Sequence, residues 1–141
     1  MITLAILEQM ATDKVGDLVL DEDFFWEELP LQKDGNPAEG VWLVTRGGSS
    51  HNTPNGINQK TTIDFYVAFA NKVKTEAIHE QIQDWLRANT GFCELSGSVG
   101  GRTYDYRNVR IWTTTTPQNY GATDNGVIVK MASATVVFDK N

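Results

Sequence analysis

TTIDFYVAFANKVKTEAIHEQIQDWL, residues 61–86, holds the two clearest periodicities of the chain, one after the other. In its first part Ile63, Phe65, Val67 and Phe69 alternate with Thr62, Asp64, Tyr66 and Ala68. A period of two belongs to a strand with one buried face, so residues 60–70 are expected to form a strand with the first set inward. In its second part Ile78, Ile82, Trp85 and Leu86 fall at i, i+4, i+7 and i+8. That is one apolar stripe of a helix, expected over 75–89 and packed across the sheet. Thr75 is placed to cap it, Glu76 complements the dipole in its first turn, and Gly91 is placed to close it. His79, Glu80, Gln83, Asp84 and Arg87 fall outside the stripe and are expected in solvent. A catalyst would set a nucleophile, a base or a ligand cluster near such a strand end. This unit sets only bulk and hydrogen-bonding side chains there.

The flanking sequence fills in the architecture. Residues 3–13 read as a short amphipathic helix through Leu4, Leu7 and Ala11, with Gly16 as its stop. Phe24, Phe25 and Trp26 lie inside an acidic run and give room for one short strand near Trp26. DGNPAEG is a loop by composition, and VWLVTR, 41–46, is a buried strand. GGSSHNTPNGINQ, 47–59, is expected to be a long polar loop, of the kind that is functional or mobile. After the helix come a short strand in FCELS, a turn at GSVGGR (97–102) and a strand over 104–115 with a bulge where its alternation slips. A loop is expected over 116–126, then a long strand in VIVKMASATVVF. The order α-β-β-α-β-β-β is that of an α+β fold. A mostly antiparallel sheet is packed by one main helix and a short N-terminal helix, in a single domain over 1–141.

The 141 residues suffice for one sizeable core without covalent staples. The formal net charge is −6, with an isoelectric point near 4.8, which argues against free-standing nucleic-acid binding. A single cysteine, Cys93, leaves no internal disulfide and reads as a small buried hydrophobe. MITLAILEQMATDKVG lacks a basic n-region and a long enough apolar run for a signal peptide. No apolar window reaches the roughly 20 residues of a membrane helix.

Each motif that hints at chemistry has a plainer reading. Asp21, Glu22, Asp23, Glu27 and Glu28 offer clustered oxygens but not the fixed spacing and turn glycine of a calcium loop, so a solvated acidic edge is expected. GSVGGR lacks the Gly-Lys-Ser/Thr and the following helix of a phosphate loop. His51 and His79, the two histidines, have no Cys or carboxylate spaced to converge with them. Ser49, Ser50, Ser96 and Ser98 sit in or beside loops without a nucleophile elbow. TYDYRNVRIW interleaves aromatics with Arg102, Arg107 and Arg110, as single-strand binders do, but cross-strand packing in an acidic domain is the simpler account. The inventory fits no enzyme. It fits a subunit that packs against copies of itself and other proteins.

At this point the chain resembles the tail-terminator and tail-completion proteins of long-tailed bacteriophages, a family also described as minor capsid or head–tail joining proteins. The resemblance is carried by the short N-terminal helix, FFWEELP at 24–30, VWLVTRGGSS at 41–50, the strand–helix unit at 61–86 and the β-rich last third. It covers most of the chain, and its motifs are architectural rather than chemical. It implies a tail-tube-like fold and a ring, usually hexameric, that caps the head-proximal end of the tail tube, stops its growth and meets the head connector. It implies three partners: further copies of the chain, the major tail tube protein and a head-closure or connector protein. DNA passes the lumen without specific binding, no cofactor, metal or membrane is involved, and the protein is assembled in the bacterial cytoplasm into the virion. Ring and tube contacts are expected at Arg46, Ser49, His51, Asn55, Arg102, Tyr104, Gln118 and Tyr120, on the three loops and the sheet edges. Asp21, Glu22, Asp23, Glu27 and Glu28 are the carboxylates expected toward the lumen. The readings to be separated from this one are a head-closure or connector subunit of the neck and a small nucleic-acid-binding module.

Overall fold

The computed structural model describes residues 2–53, 56–99 and 102–140. Its class is α+β, with two helices, α1 (Ile2–Thr12) and α2 (Lys72–Ala88), against a curled and mostly antiparallel sheet. The strands are β1 (Phe24–Trp26), β2 (Gly40–Thr53), β3 (Gly56–Ala68), β4 (Gly91–Val99), β5 (Arg102–Thr113), β6 (Gln118–Ala122) and β7 (Ile128–Lys140). They run in the order β1-β2-β3-β7-β5-β4, with β6 beside β7. The β1–β2 pair is parallel, and the other pairs are antiparallel.

The opening stretch places itself at the centre of this sheet. Ile63, Phe65, Val67 and Phe69 are all buried, as their alternation requires. Phe65 sits opposite Leu43 on one side and Ala132 on the other, so β3 is an interior strand. The helix that follows starts earlier than expected. Asn71, not Thr75, is its cap, and its Oδ1 accepts from the amides of Val73 at 3.0 Å and Lys74 at 3.2 Å. Thr75 is buried instead and ties the helix back to the strand. Its Oγ1 accepts from the Phe69 amide at 3.1 Å and donates to the Phe69 carbonyl at 3.2 Å. The helix ends on Asn89, and Gly91 opens β4 rather than closing α2. Its buried face is also wider than the apolar stripe, because Thr75, His79 and Gln83 lie inside it.

The N-terminal helix departs furthest from an amphipathic surface helix. Ile2, Leu4, Ala5, Ile6, Leu7 and Met10 are buried, and so is Thr3. Only Glu8, Gln9 and Thr12 keep a polar strip toward solvent, and a helix apolar over most of its surface has to be largely enclosed. The curl of the sheet encloses it: α1 touches β1 and β2 at one margin and β4 at the other. Thr3 and Thr45 hydroxyls meet at 2.6 Å, and the Tyr104 hydroxyl donates to Glu8. Gly16 then turns the chain at φ +65° inside a 3-10 turn, Val15–Asp17, where a Cβ would strike Ile78. Trp85 Nε1 donates to Asp13 Oδ2 at 2.9 Å and closes that corner between the helices.

The segment 47–59 is not a loop. β2 continues to Thr53 and β3 starts at Gly56, paired residue by residue, while Pro54 and Asn55 fall outside the described residues. Gly47 is the extra residue of a bulge between Arg46 and Gly48, and at Gly48 a Cβ would strike the Lys60 backbone. Gly47 and Gly48 serve a bulge and a close strand approach, and Ser49 and Ser50 beside them are exposed. The turn expected at 97–102 is likewise narrowed, since β4 reaches Val99 and β5 begins at Arg102. The expected bulge of β5 is present between Arg107 and Arg110, with Asn108 at φ +51°. Within the expected 116–126 loop the short strand β6 pairs with β7. The expected short strand near Trp26 is β1.

The core divides sharply from the surface, and stability should follow it. Phe65→Ala is expected to cost about 3–5 kcal/mol in urea unfolding. Leu31→Ala, at a side chain 68% exposed, should change stability by less than about 0.5 kcal/mol. Comparable losses from the two would refute this placement of the core.

Candidate assembly surface

Both helices cover one face of the sheet, and the alternate residues of the same strands form the other. Trp42 stands between the buried Val41 and Leu43, Asp64 and Tyr66 between Ile63, Phe65 and Val67, and Met131 and Ser133 beside Ala132 and Ala134. The register aligns Trp42, Tyr66, Met131 and Gln118 in one row across β2, β3, β7 and β6. Trp42 and Tyr66 stack with ring centroids 5.1 Å apart, and Tyr120 meets Tyr66 edge-on at 5.2 Å. Beside this row a cleft of about 300 Å³ is lined by Leu29, Pro37, Trp42, Tyr120, Asp124 and Val129.

The next row holds a buried carboxylate. Asp64 is 4% exposed although it faces away from the helices. Its Oδ1 accepts from the Ser133 hydroxyl at 2.5 Å, and its Oδ2 lies 3.0 Å from Arg46 Nε. Arg46 reaches on to Ser133 Oγ at 3.3 Å and leaves much of its guanidinium in solvent. Thr115 Oγ1 accepts from the Ser133 amide at 2.8 Å, which fastens the chain after β5 to β7. Tyr66 lies at the edge of this group, 3.5 Å from Asp64 Oδ2. Its phenol is pushed up to about 12, first by burial and then by the Asp64 charge, so it remains a protonated donor. A buried charge needs partners of this kind, because its desolvation exceeds what a single contact returns.

The structure brings Arg46, Gln118 and Tyr120 together on this face. Ser49 lies elsewhere, on the rim of a groove of about 390 Å³ with Ile2, Gln59, Lys60, Tyr106 and Phe138. Tyr104 is corrected: it is in the core, stacked on Tyr106 at 5.9 Å, and offers no contact surface. Burial, then the bond to Glu8, raises its phenol above the ordinary tyrosine value. The backbone of His51 lies in β2 opposite Asn58, and Arg102 opens β5, but their side chains are outside the described residues, as are Asn55 and the Cys93 side chain. The acidic run separates by role. Asp23 Oδ2 accepts from the Val19 amide, and Glu27 accepts from the Thr45 hydroxyl and amide. Asp21, Glu22 and Glu28 stay exposed.

His79 is corrected too. It is buried, not solvated, with Nε2 3.0 Å from the Lys130 carbonyl oxygen. No set of three His, Cys, Asp or Glu side chains converges as a metal site among the described residues. No described helix is long and apolar enough to cross a membrane. Sequence reasoning missed Trp42, Asp64, Tyr66 and Ser133 as one group. The signal available was an aspartate in the middle of an otherwise apolar strand, which needs a partner on a neighbouring strand.

No protein-family model matches the chain, and no curated protein matches its sequence.

Removing the half-exposed partner of this group is informative. Arg46→Ala leaves the buried Asp64 facing only two hydroxyls, and should cost about 2–3 kcal/mol in chemical denaturation. Gln118→Ala, on the same face but exposed, should stay within about 0.5 kcal/mol.

Proposed function

We propose that the protein is a structural subunit of a closed ring that caps the head-proximal end of a phage tail tube and joins it to the head connector. The observation that carries the reading is an open sheet with two unpaired edges on opposite sides of one rigid subunit. One is β2 beyond Thr45, whose amide is taken by Glu27, and the other is β4, which pairs with β5 alone. Natural sheets blunt such edges with lysine or proline, or cover them. The described part of β2 beyond Thr45 and the whole of β4 carry neither residue; the bulge at Gly47 interrupts the first edge, and Glu94 is the one charge on the second. Two different edges on one chain are what a head-to-tail contact needs, and such contacts close into a ring when the rotation between copies is right.

The remaining surface supports the same reading. The aromatic row with Arg46, Gln118 and Tyr120 offers the stacked rings and paired charges of a protein–protein contact. The ion pairs of Arg107 with Glu94 and Asp105 also lie among the strands, where they set register more than affinity. Asp21, Glu22 and Glu28 are the carboxylates of the acidic run free to face DNA in the lumen, where repulsion from phosphates keeps it sliding. The subunit needs no cofactor for any of this.

Light scattering after size exclusion, followed by negative-stain imaging, tests the reading. The expected result is a closed ring of about six copies, formed alone or after purified tail tubes are added, with Tyr120→Ala binding tubes at least about tenfold more weakly than wild type. A chain that stays monomeric, ignores tubes and binds DNA in a salt-dependent way would replace this reading with a nucleic-acid module. Binding to connectors but not to tubes would move the subunit to the neck.

A further inference from the structure

His79 sits on α2 with 1% of its surface exposed, and Nε2 lies 3.0 Å from the Lys130 carbonyl oxygen. A carbonyl only accepts, so Nε2 carries the hydrogen and Nδ1 is left with a bare lone pair. Among the described residues nothing is hydrogen-bonded to Nδ1. The neutral ring fits in this one tautomer. A second proton would place an N–H at Nδ1 with no acceptor among the described residues, on a ring that is almost wholly buried at the wall of a cleft.

The ring is bonded to β7, which pairs there with β3 on one side and with the short strand β6 on the other. Lys130 pairs with Asn119, so the His79 bond meets β7 where β6 joins it. Pro117, on the connection from β5 to β6, shares with His79 a cleft of about 350 Å³. Glu76, Glu80, Gln83, Asp84 and Arg87 of α2 complete its lining. The charged groups facing the ring are those of α2 and, from β7, Lys130. The connection Thr114–Pro117 holds no ionisable side chain, and in β6 only Tyr120 can titrate. Lys130 holds Glu76, and Arg87 holds Asp84 at 2.9 Å, so neither carboxylate is idle.

We propose that His79 is a pH-sensitive latch: the neutral, buried imidazole holds α2 to β7 at Lys130, where β6 joins that strand, and its protonation releases the contact and with it β6. Burial is the main cause that lowers the proton affinity of this imidazole, and the Lys130 charge acts in the same direction. The Lys130 carbonyl bond and Glu76 act against it. The closed form therefore binds a proton less readily than a form in which the ring meets water. Opening is favoured as the pH falls below about 6.5, and the closed form is kept above it. In the open form Glu80 and water become available to the imidazolium. β6 carries Gln118 and Tyr120, so acid would loosen the docking face; that consequence rests on the ring reading, and the latch does not.

Hydrogen exchange on the full chain at pH 7 and pH 5, corrected for intrinsic rates, tests the latch. Residues 114–122 should lose protection by about tenfold in the wild type. His79→Gln, whose amide can still donate to the Lys130 carbonyl, should show no such loss. A flat wild type, or an equal loss in the variant, overturns the latch. If that variant does not fold, imidazole nitrogen spectra of the wild type decide. Nδ1 should be unprotonated at pH 7 and should titrate together with the amides of 114–122. A proton on Nδ1 at pH 7, or a titration those amides ignore, overturns it. Ring formation and tube capping can fail while the exchange result stands, so the two readings fail separately.

Discussion

A sheet that ends in β1 on one side and β4 on the other leaves its apolar concave face uncovered, and α1 fills that face. The helix keeps only a narrow polar side, Glu8, Gln9 and Thr12, toward water, while Leu4, Ile6, Leu7 and Met10 point in different directions and are all buried. Each aliphatic side chain buried in this way is worth roughly 1.5–3 kcal/mol. The curl follows from the same contact, since the sheet must bend round the helix for both margins to touch it. α2 then closes the rest of the face through Ile78, Ile82 and Leu86, and the Trp85–Asp13 bond joins the two helices. With that face sealed, the other face and the two edges are what the molecule has left to present.

The two faces are built on different physics. The helix side is held by area; of its few polar groups Thr75 is tied to Phe69, while His79 Nδ1 and Gln83 Nε2 have no hydrogen-bond partner among the described residues. The open side is held by cross-strand pairs: Trp42 on Tyr66, Tyr120 against Tyr66, and the Arg46–Asp64–Ser133 group. Apolar contacts tolerate sliding, whereas a carboxylate with three assigned partners does not. Asp64 thus fixes the register of β2, β3 and β7 beyond what the apolar pattern alone imposes.

The strand–helix unit was legible because its two periods are long and clean, and β3 and the apolar stripe of α2 follow from them. The errors share one cause. Periodicity reports burial on a single element, and it fails where burial comes from a distant one. α1 reads as amphipathic, and Glu8, Gln9 and Asp13 do stay at the surface, but its buried face is wider than the stripe because the sheet curls around it. His79 and Gln83 read as solvent-facing until β7 and the β5–β6 connection are laid over them. Residues 47–59 read as a loop because a strand with little apolar burial has no alternation to show, and because glycines needed for a bulge and a close approach look like turn residues. Tyr104 looked like an interface residue because the sequence does not say which face of β5 is inward once a bulge has shifted its phase. On the candidate surface, Arg46, Gln118 and Tyr120 could be named, but the group that organises them depends on strands far apart in sequence.

Under the proposed ring reading, the distribution of carboxylates narrows how the acidic balance would act on DNA in the lumen. A net charge of −6 is spread over a chain in which many acids are already committed. Asp64 is buried with Arg46, Glu76 is held by Lys130, Asp84 by Arg87, and Glu94 and Asp105 by Arg107. Asp13, Asp23 and Glu27 are spent on hydrogen bonds that shape the segment from α1 to β2. A carboxylate bound to a neighbouring cation projects a dipole, whose field dies away faster than that of a free charge. In the proposed ring, repulsion of phosphates would therefore fall to exposed acids such as Asp21, Glu22 and Glu28, which flank β1 in sequence. In a ring each such group recurs once per subunit at the same height. A band of like charge around a lumen repels a passing duplex from all sides at once, which centres it without binding it.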